Sequence, residues 1–217
     1  IRIFIFSYAG DAAEATACVR CARMAVPCAS VTVVDDASHP VREETAEVLR
    51  SMGAEYVQSS WERHGNLRGP DCIRGMLSEM CREAEDDDIL VKVDCDTALL
   101  DGGWLRWMEQ RPWCQMYTSG DFVNGDWRVF GCLYALRGWI ARRLYREMDW
   151  SLLDDRAPED WTIGREVLAR VPAALCRIDE PWRKRSPWSI WTAWCWPSRT
   201  VSAESYAARF AGVITGS

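Results

Sequence analysis

Short apolar runs that end in polar or acidic residues alternate with longer amphipathic stretches along the first hundred positions. That alternation narrows the fold more than any other feature of the chain. IRIFIFSY (1–8) is rich in β-branched and aromatic residues and reads as a strand. DAAEATACVRCARMAV (11–26) opens on an aspartate, carries alanine throughout and reads as a helix. SVTVVDDASHP (30–40) is a strand stopped by two aspartates, then a loop closed by proline. VREETAEVLRSMG (41–53) is a helix ended by glycine, AEYVQSS (54–60) a strand, GPDCIRGMLSEMCREAEDDD (69–88) a helix and ILVKVDCD (89–96) a strand. This order predicts an α/β fold with a mostly parallel central sheet flanked by helices. Beyond residue 100 the second half is mixed. LDGGWLRWMEQR (100–111), RGWIARRLYREM (137–148) and WTIGREVLAR (161–170) read as helices. WCQMYTSG (113–120) and WRVFGCLYAL (127–136) are strands around the turn DFVNGD, and AALCRID (173–179) is a last strand.

Ligands of such sheets bind beyond the carboxyl ends of the strands. The acids fall there: Asp35 and Asp36 close the second strand and Asp94 and Asp96 the fourth, so four carboxylates converge on one rim. A strand repeats every two residues, which predicts that Asp94 and Asp96 share a face. Two like charges that close repel, so either a cation sits between them or the strand has run out into solvent. Hard oxygen ligands at a strand end suit Mg²⁺ or Mn²⁺ bridging to a diphosphate. Two solvated acids in a turn is the plainer alternative, since a bare D-x-D carries little weight and DDD at 86–88 supplies another.

With 217 residues the chain is long enough for one substantial domain and a small appendage. Its net charge of −6 argues against a nucleic-acid partner, RKR at 183–185 being the obvious basic patch. No apolar run approaches a membrane span, and IRIFIF is too short for a signal peptide's apolar region. The spacing of the ten cysteines follows the predicted elements, which suggests reduced, packed thiols in a cytoplasmic protein. CVRC (18–21) with Cys28 is the one place where zinc could be suspected, but no second C-x-x-C pair accompanies it.

With these residues in view, the chain resembles the nucleotide-diphospho-sugar transferases of GT-A fold, most closely the family-two glycosyltransferases. The likeness runs over about residues 1–180. It rests on IFIFSYAGD, on VTVVDDASHP, on IRG at 73–75, on VDCD, on FGCLYALRG and on APEDW at 157–161. It implies a nucleotide-binding half (1–100) and an acceptor half (101–180), with the Trp-rich stretch 181–217 packing on the domain as an extension. It further implies that Asp35 or Asp36 bonds the nucleobase or ribose, that Asp94 contacts the ribose or the metal, and that Asp96 ligates the Mn²⁺ or Mg²⁺ that holds the diphosphate. Arg74, or else Arg68, would face the nucleotide. Asp160 would be the general base for the acceptor hydroxyl, with Glu159 its rival. The partners implied are a nucleotide-diphosphate sugar donor and an acceptor glycan or other hydroxyl compound.

The chemistry of transfer agrees with this. A departing diphosphate needs its charge neutralised, and an incoming hydroxyl needs a carboxylate on the opposite face if the anomeric centre is to invert. Asp160 has a rival reading as a helix cap. The sequence departs from the family where Ala37 stands for the usual glycine after the paired aspartates and Gly75 for the asparagine of an R-N pair. No histidine follows His64, which favours an inverting enzyme and leaves His39 and His64 as surface or loop residues. The tail EPWRKRSPWSIWTAWCWPSRT (180–200) could cap the domain, close over the ligands with Arg183, Lys184 and Arg185 near the phosphates, or touch a membrane interface. Two other functions stay open: a GT-A-like domain that binds a nucleotide sugar or glycan without turnover, and a haloacid-dehalogenase-like phosphatase with Asp94 as nucleophile.

Overall fold

The computed structural model describes residues 1–63, 67–99, 101–123, 126–179 and 193–195. The first half follows the predicted alternation: β1 (Arg2–Ser7), α1 (Ala12–Ala25), β2 (Ser30–Asp35), α2 (Glu43–Ser51), β3 (Glu55–Gln58), α3 (Pro70–Cys81) and β4 (Ile89–Asp94). After a two-residue turn come β5 (Thr97–Leu99), α4 (Gly103–Glu109), β6 (Met116–Val123), β7 (Asp126–Arg137), α5 (Gly138–Glu147), α6 (Glu159–Arg170), β8 (Cys176–Asp179) and β9 (Ala193–Cys195).

Seven strands form one sheet in the order β3-β2-β1-β4-β7-β6-β8. The pairs β2–β3, β1–β2 and β1–β4 are parallel, β4–β7 and β6–β7 are antiparallel, and β8 lies parallel to β6. The mixed character of the second half is therefore the β6–β7 hairpin inserted against β4. Parallel strands covered on both faces need near-continuous apolar sequence, as IFIF and VTVV supply. Alternate side chains feed two cores. Ile3, Ile5, Val31, Val33, Val91 and Val93 pack with α1, α2 and α4 on one face. Phe4, Phe6, Val34 and Leu90 pack with α3, α5 and α6 on the other. Lys92 has the parity of Leu90, so a lysine is carried into the second face at a fully buried position.

The helix expected over 69–88 stops at Cys81. Glu83 takes a left-handed conformation (φ 58°), and the acidic stretch behind it becomes a ledge for α5. Gly138 N–H donates to Asp88 O at 2.9 Å and Trp139 N–H to Asp86 O at 3.1 Å. Arg137 is buried beside that ledge, and its guanidinium gathers the carbonyls of Asp87, Met108, Arg111 and Cys114. An arginine at such a position stays charged because its donors are occupied.

Asp94 and Asp96 do not share a strand face. β4 ends at Asp94, Cys95 and Asp96 form a turn, and β5 leaves in a new direction to pair antiparallel with β9, Thr97 opposite Cys195. The two-residue repeat predicted for the acids fails because the second lies past the end of the ladder. The remaining tail residues, with Arg183, Lys184, Arg185, Trp188 and Trp191, lie outside the described residues, as does His64. Among the described residues no helix is long and apolar enough to cross a membrane.

Candidate functional site

Parallel pairing puts the ends of β2, β1 and β4 side by side: Ser7 lies opposite Asp35 and Phe6 opposite Asp94. Beyond this edge opens a cleft of about 470 Å³ lined by Arg63, Arg68, Lys92, Asp94, Glu159, Asp160 and neighbouring residues. Three cations and three carboxylates thus face one space.

The cleft's floor is organised by Lys92. Its ammonium donates to Asp94 Oδ1 at 2.8 Å and to the carbonyl of Gly131, and lies 3.5 Å from Glu159 Oε2. Burial works against its charge, but Asp94 and Glu159 outweigh burial and hold the ammonium above its ordinary range. Glu159 begins α6 and is itself buried; Tyr134 O–H donates to Oε1. Glycine at 131 allows this approach, since a β-carbon there would come within 2.9 Å of both Glu159 Oε2 and Asp160 Cβ.

α6 is aimed at the cleft by a short cross-connection. Arg68 bridges Pro158, Gly69 N–H donates to Ala157 O at 3.0 Å and Glu159 N–H to Leu67 O at 3.1 Å. Gly69 has φ +79° and lies against Asp155 O, so the connection needs a residue without a β-carbon. The cap of α6 is Pro158, which makes no side-chain cap bond, and Asp160 sits in the first turn with Oδ1 accepting Trp161 N–H at 2.9 Å.

The Lys92 ammonium does not offset the burial of Glu159. Burial above all, with the charges of Asp160 and Asp94 and against the pull of Lys92, pushes Glu159 from 4.5 up to about 7. The folded chain therefore keeps a proton on Glu159 that the unfolded chain releases from about pH 4.5 upwards. More protons are bound in the folded state across that window, so the stability this group contributes falls as pH rises towards 7 and levels off above it. Denaturant melts of the wild type and Glu159→Gln at several pH values should show the difference declining from mildly acid pH to neutrality. A difference that does not vary with pH would contradict the buried assignment.

The first predicted pair of acids is turned inward. Asp35 Oδ1 accepts Ser7 O–H at 2.9 Å, while Oδ2 accepts Val41 N–H at 2.7 Å and Tyr56 O–H at 2.6 Å. These bonds pin the β2 loop to β1 and β3. Asp36 is also buried, and its Oδ1 accepts the N–H groups of Ser38 and His39 and its Oδ2 that of Arg63. Burial tends to raise its pKa, but these backbone donors overcome it and hold the carboxyl below the ordinary range. His39 is exposed in that loop, as expected.

Arg63, which no sequence pattern marked, ties the two acid pairs together. While its N–H holds Asp36, its guanidinium donates to Asp11 Oδ2 at 2.8 Å and Phe6 O at 3.1 Å, lies over the Tyr8 ring, and lines the cleft with Asp94. Cys95, the residue between the two acids of VDCD, faces inward and donates its S–H to Asp11 Oδ2 at 2.7 Å. It anchors the turn between Asp94 and Asp96. Cys18 packs beneath, its thiol 3.8 Å from Asp94 O, and Cys21 is buried on the same helix.

Arg68 stands at the cleft wall, whereas Arg74 does not reach it. Arg74 is exposed on the outer side of α3, in a separate groove with Trp61, Asp71 and Tyr145. Gly75 beside it makes room for the Trp61 ring. Asp96 lies in the turn and is not among the residues lining the cleft. Among the described residues no three histidine, cysteine or acidic side chains converge as a metal cage. Asp94 and Asp96 offer two hard oxygen ligands, a donor set that suits Mg²⁺ or Mn²⁺ when phosphates and water complete the shell.

No family model matches the sequence, and no curated protein matches it. The fold does have counterparts among solved structures. The galactosyltransferase LgtC, in complex with donor and acceptor sugar analogues, aligns over 100% of this chain and 96% of its own with a TM-score of 0.58 and 13% identity. The fold is GT-A. Glucosyl-3-phosphoglycerate synthase from Mycobacterium tuberculosis, in complex with Mn²⁺, UDP and glucosyl-3-phosphoglycerate, has the same GT-A core. It aligns over 86% of this chain and 73% of its own, with a TM-score of 0.54 and 13% identity. TarS of S. aureus (1–349) aligns over 84% of this chain and 58% of its own, with a TM-score of 0.53 and 14% identity. The α/β, GT-A architecture expected from the strand order and the quoted motifs is thus the observed one.

Proposed function

We propose that this protein is a glycosyltransferase that moves a sugar from a nucleotide diphosphate to an acceptor hydroxyl with inversion at the anomeric carbon. The observation that carries the reading is that Asp94, at the end of β4, and Asp160, on the first turn of α6, line one cleft of a GT-A fold. The neighbours' contents, donor and acceptor sugar analogues in one and Mn²⁺ with UDP in another, support the same class of chemistry.

In this reading the donor's diphosphate lies over the β4 turn, with Arg63 and Arg68 on its flanks, and Asp94 and Asp96 would hold a divalent ion. The ion, when bound, neutralises the charge that builds on the leaving diphosphate. Asp94 is held in place by Lys92 through Oδ1. Asp36 shapes the nucleoside side by fixing the loop of Ser38 and His39. Asp160 takes the proton of the attacking hydroxyl as the carbon–oxygen bond forms and the anomeric carbon–phosphate oxygen bond breaks. Glu159 cannot share that role easily, because its oxygens already face Tyr134 and Lys92. It supports Asp160 by fixing the start of α6. Residues 1–100 then form the nucleotide half and 101–180 the acceptor half.

The test is a thermal-shift screen of UDP, GDP, ADP and CDP with and without Mn²⁺. One nucleoside diphosphate should stabilise the protein only when the metal is present, since a ligand confined to the native state raises apparent stability. Asp96→Ala should remove that metal-dependent shift. The configuration of the product, read by NMR with the matching donor, decides inversion against retention. Absence of any nucleotide-dependent shift would overturn the transferase reading.

A further inference from the structure

Trp161 is 49% exposed although it is the third residue of a helix whose other face is buried. A lone surface tryptophan needs no explanation. This one, however, lies in the wall of the cleft, adjacent to Asp160 and joined to it through the bond from its own N–H to Asp160 Oδ1. The cleft's other named side chains are mostly charged, so Trp161 is its aromatic surface beside polar groups.

We infer that Trp161 is the stacking platform of the acceptor subsite and that the acceptor is an uncharged saccharide. The inference rests on the transfer reading above. A base must touch the hydroxyl it deprotonates, so whatever presents that hydroxyl to Asp160 also lies beside Trp161. A pyranose ring offers an apolar face of C–H bonds carrying slight positive charge, and an indole face carries the complementary negative quadrupole. Its remaining hydroxyls need planar polar partners, which Asp160 and Arg68 supply at the same wall. The charge of that wall argues against an anionic acceptor. The Asp160 carboxylate stands beside Trp161, and Arg68 is exposed to water, so its attraction for an acid is screened.

The experiment uses the full chain on an array of neutral oligosaccharides, with 3-phosphoglycerate as the contrasting probe in calorimetry. Each is run with and without Mn²⁺ and the nucleoside diphosphate selected by the thermal-shift screen, or with UDP if none is selected. Neutral glycans should bind, Trp161→Ala should weaken that binding by roughly tenfold or more, and Trp161→Phe should restore most of it. Nucleotide affinity should be the same in all three proteins. Retention of 3-phosphoglycerate without any neutral glycan would overturn the inference, as would glycan binding indifferent to Trp161→Ala or no glycan binding at all. If glycans bind through Trp161 while no nucleoside diphosphate binds, the saccharide subsite stands and the transfer reading fails. Nucleotide binding without glycan binding is the reverse case.

Discussion

Lys92→Met is expected to destabilise the protein by about 3–5 kcal/mol, the usual cost of removing one partner from a buried ion pair. Methionine fills much of the lysine stem's volume, so packing changes little. What is lost is the ammonium that Asp94, Glu159 and the Gly131 carbonyl all face. Glu159 escapes part of the penalty by taking a proton, whereas Asp94 keeps some access to water through the cleft and is less affected. Adding Glu159→Gln to Lys92→Met should therefore recover part of the loss. The recovery measures the coupling between the two residues, on the order of 0.5–3 kcal/mol for side chains in direct contact. Urea melts at neutral pH decide the matter. A loss below about 1 kcal/mol would mean that water reaches Lys92 and that the site is not organised around it.

Asp160→Asn is expected to lower the rate of transfer by about 10²–10⁴-fold while leaving nucleotide affinity unchanged, the range in which positioned acid–base groups act. Its effect on stability should be small. The position that caps α6 is Pro158, and Asp160 bonds the adjacent Trp161 N–H from within the first turn, so asparagine keeps that acceptor oxygen while losing the carboxylate's favourable dipole interaction. Single-turnover kinetics beside a denaturant melt separate the two roles. A variant that loses stability but keeps its rate would make Asp160 a structural acid and shift attention to Glu159.

The motifs that resembled a transferase were informative about place and less so about role. VDD and VDCD do close strands at one sheet edge, with β1 between them. Yet the side chains divide otherwise than their sequence suggests, Asp35 and Asp36 being consumed by internal donors and Asp94 being open to the cleft. Arg74, six positions after Arg68, is the arginine that the IRG motif puts first. The cross-connection to Pro158 brings Arg68 to the cleft, while the helical rotation of α3 carries Arg74 to the outer surface. Lys92 did leave a signal that pattern reading passed over. A lysine in the middle of ILVKV has to be paired if the strand is buried, and its parity with Asp94 names half of the pairing. Arg63 left none, because it sits in a loop of mixed polar residues without period.

Sequence by itself determined the order of strands and helices in the first half, its parallel pairing and the gathering of Asp35, Asp36 and Asp94 at one edge. Those follow from short-range repeats, two residues in a strand and about 3.6 in a helix, together with the rule that parallel strands all end on the same side. Only the tertiary structure decided which acids remain available, that Lys92 joins Asp94 to Glu159, and that α6 brings Asp160 and Trp161 to the cleft. The physical reason is that a side chain's charge state and exposure depend on groups far away along the chain. Local periodicity carries no information about those groups until the sheet has closed around them.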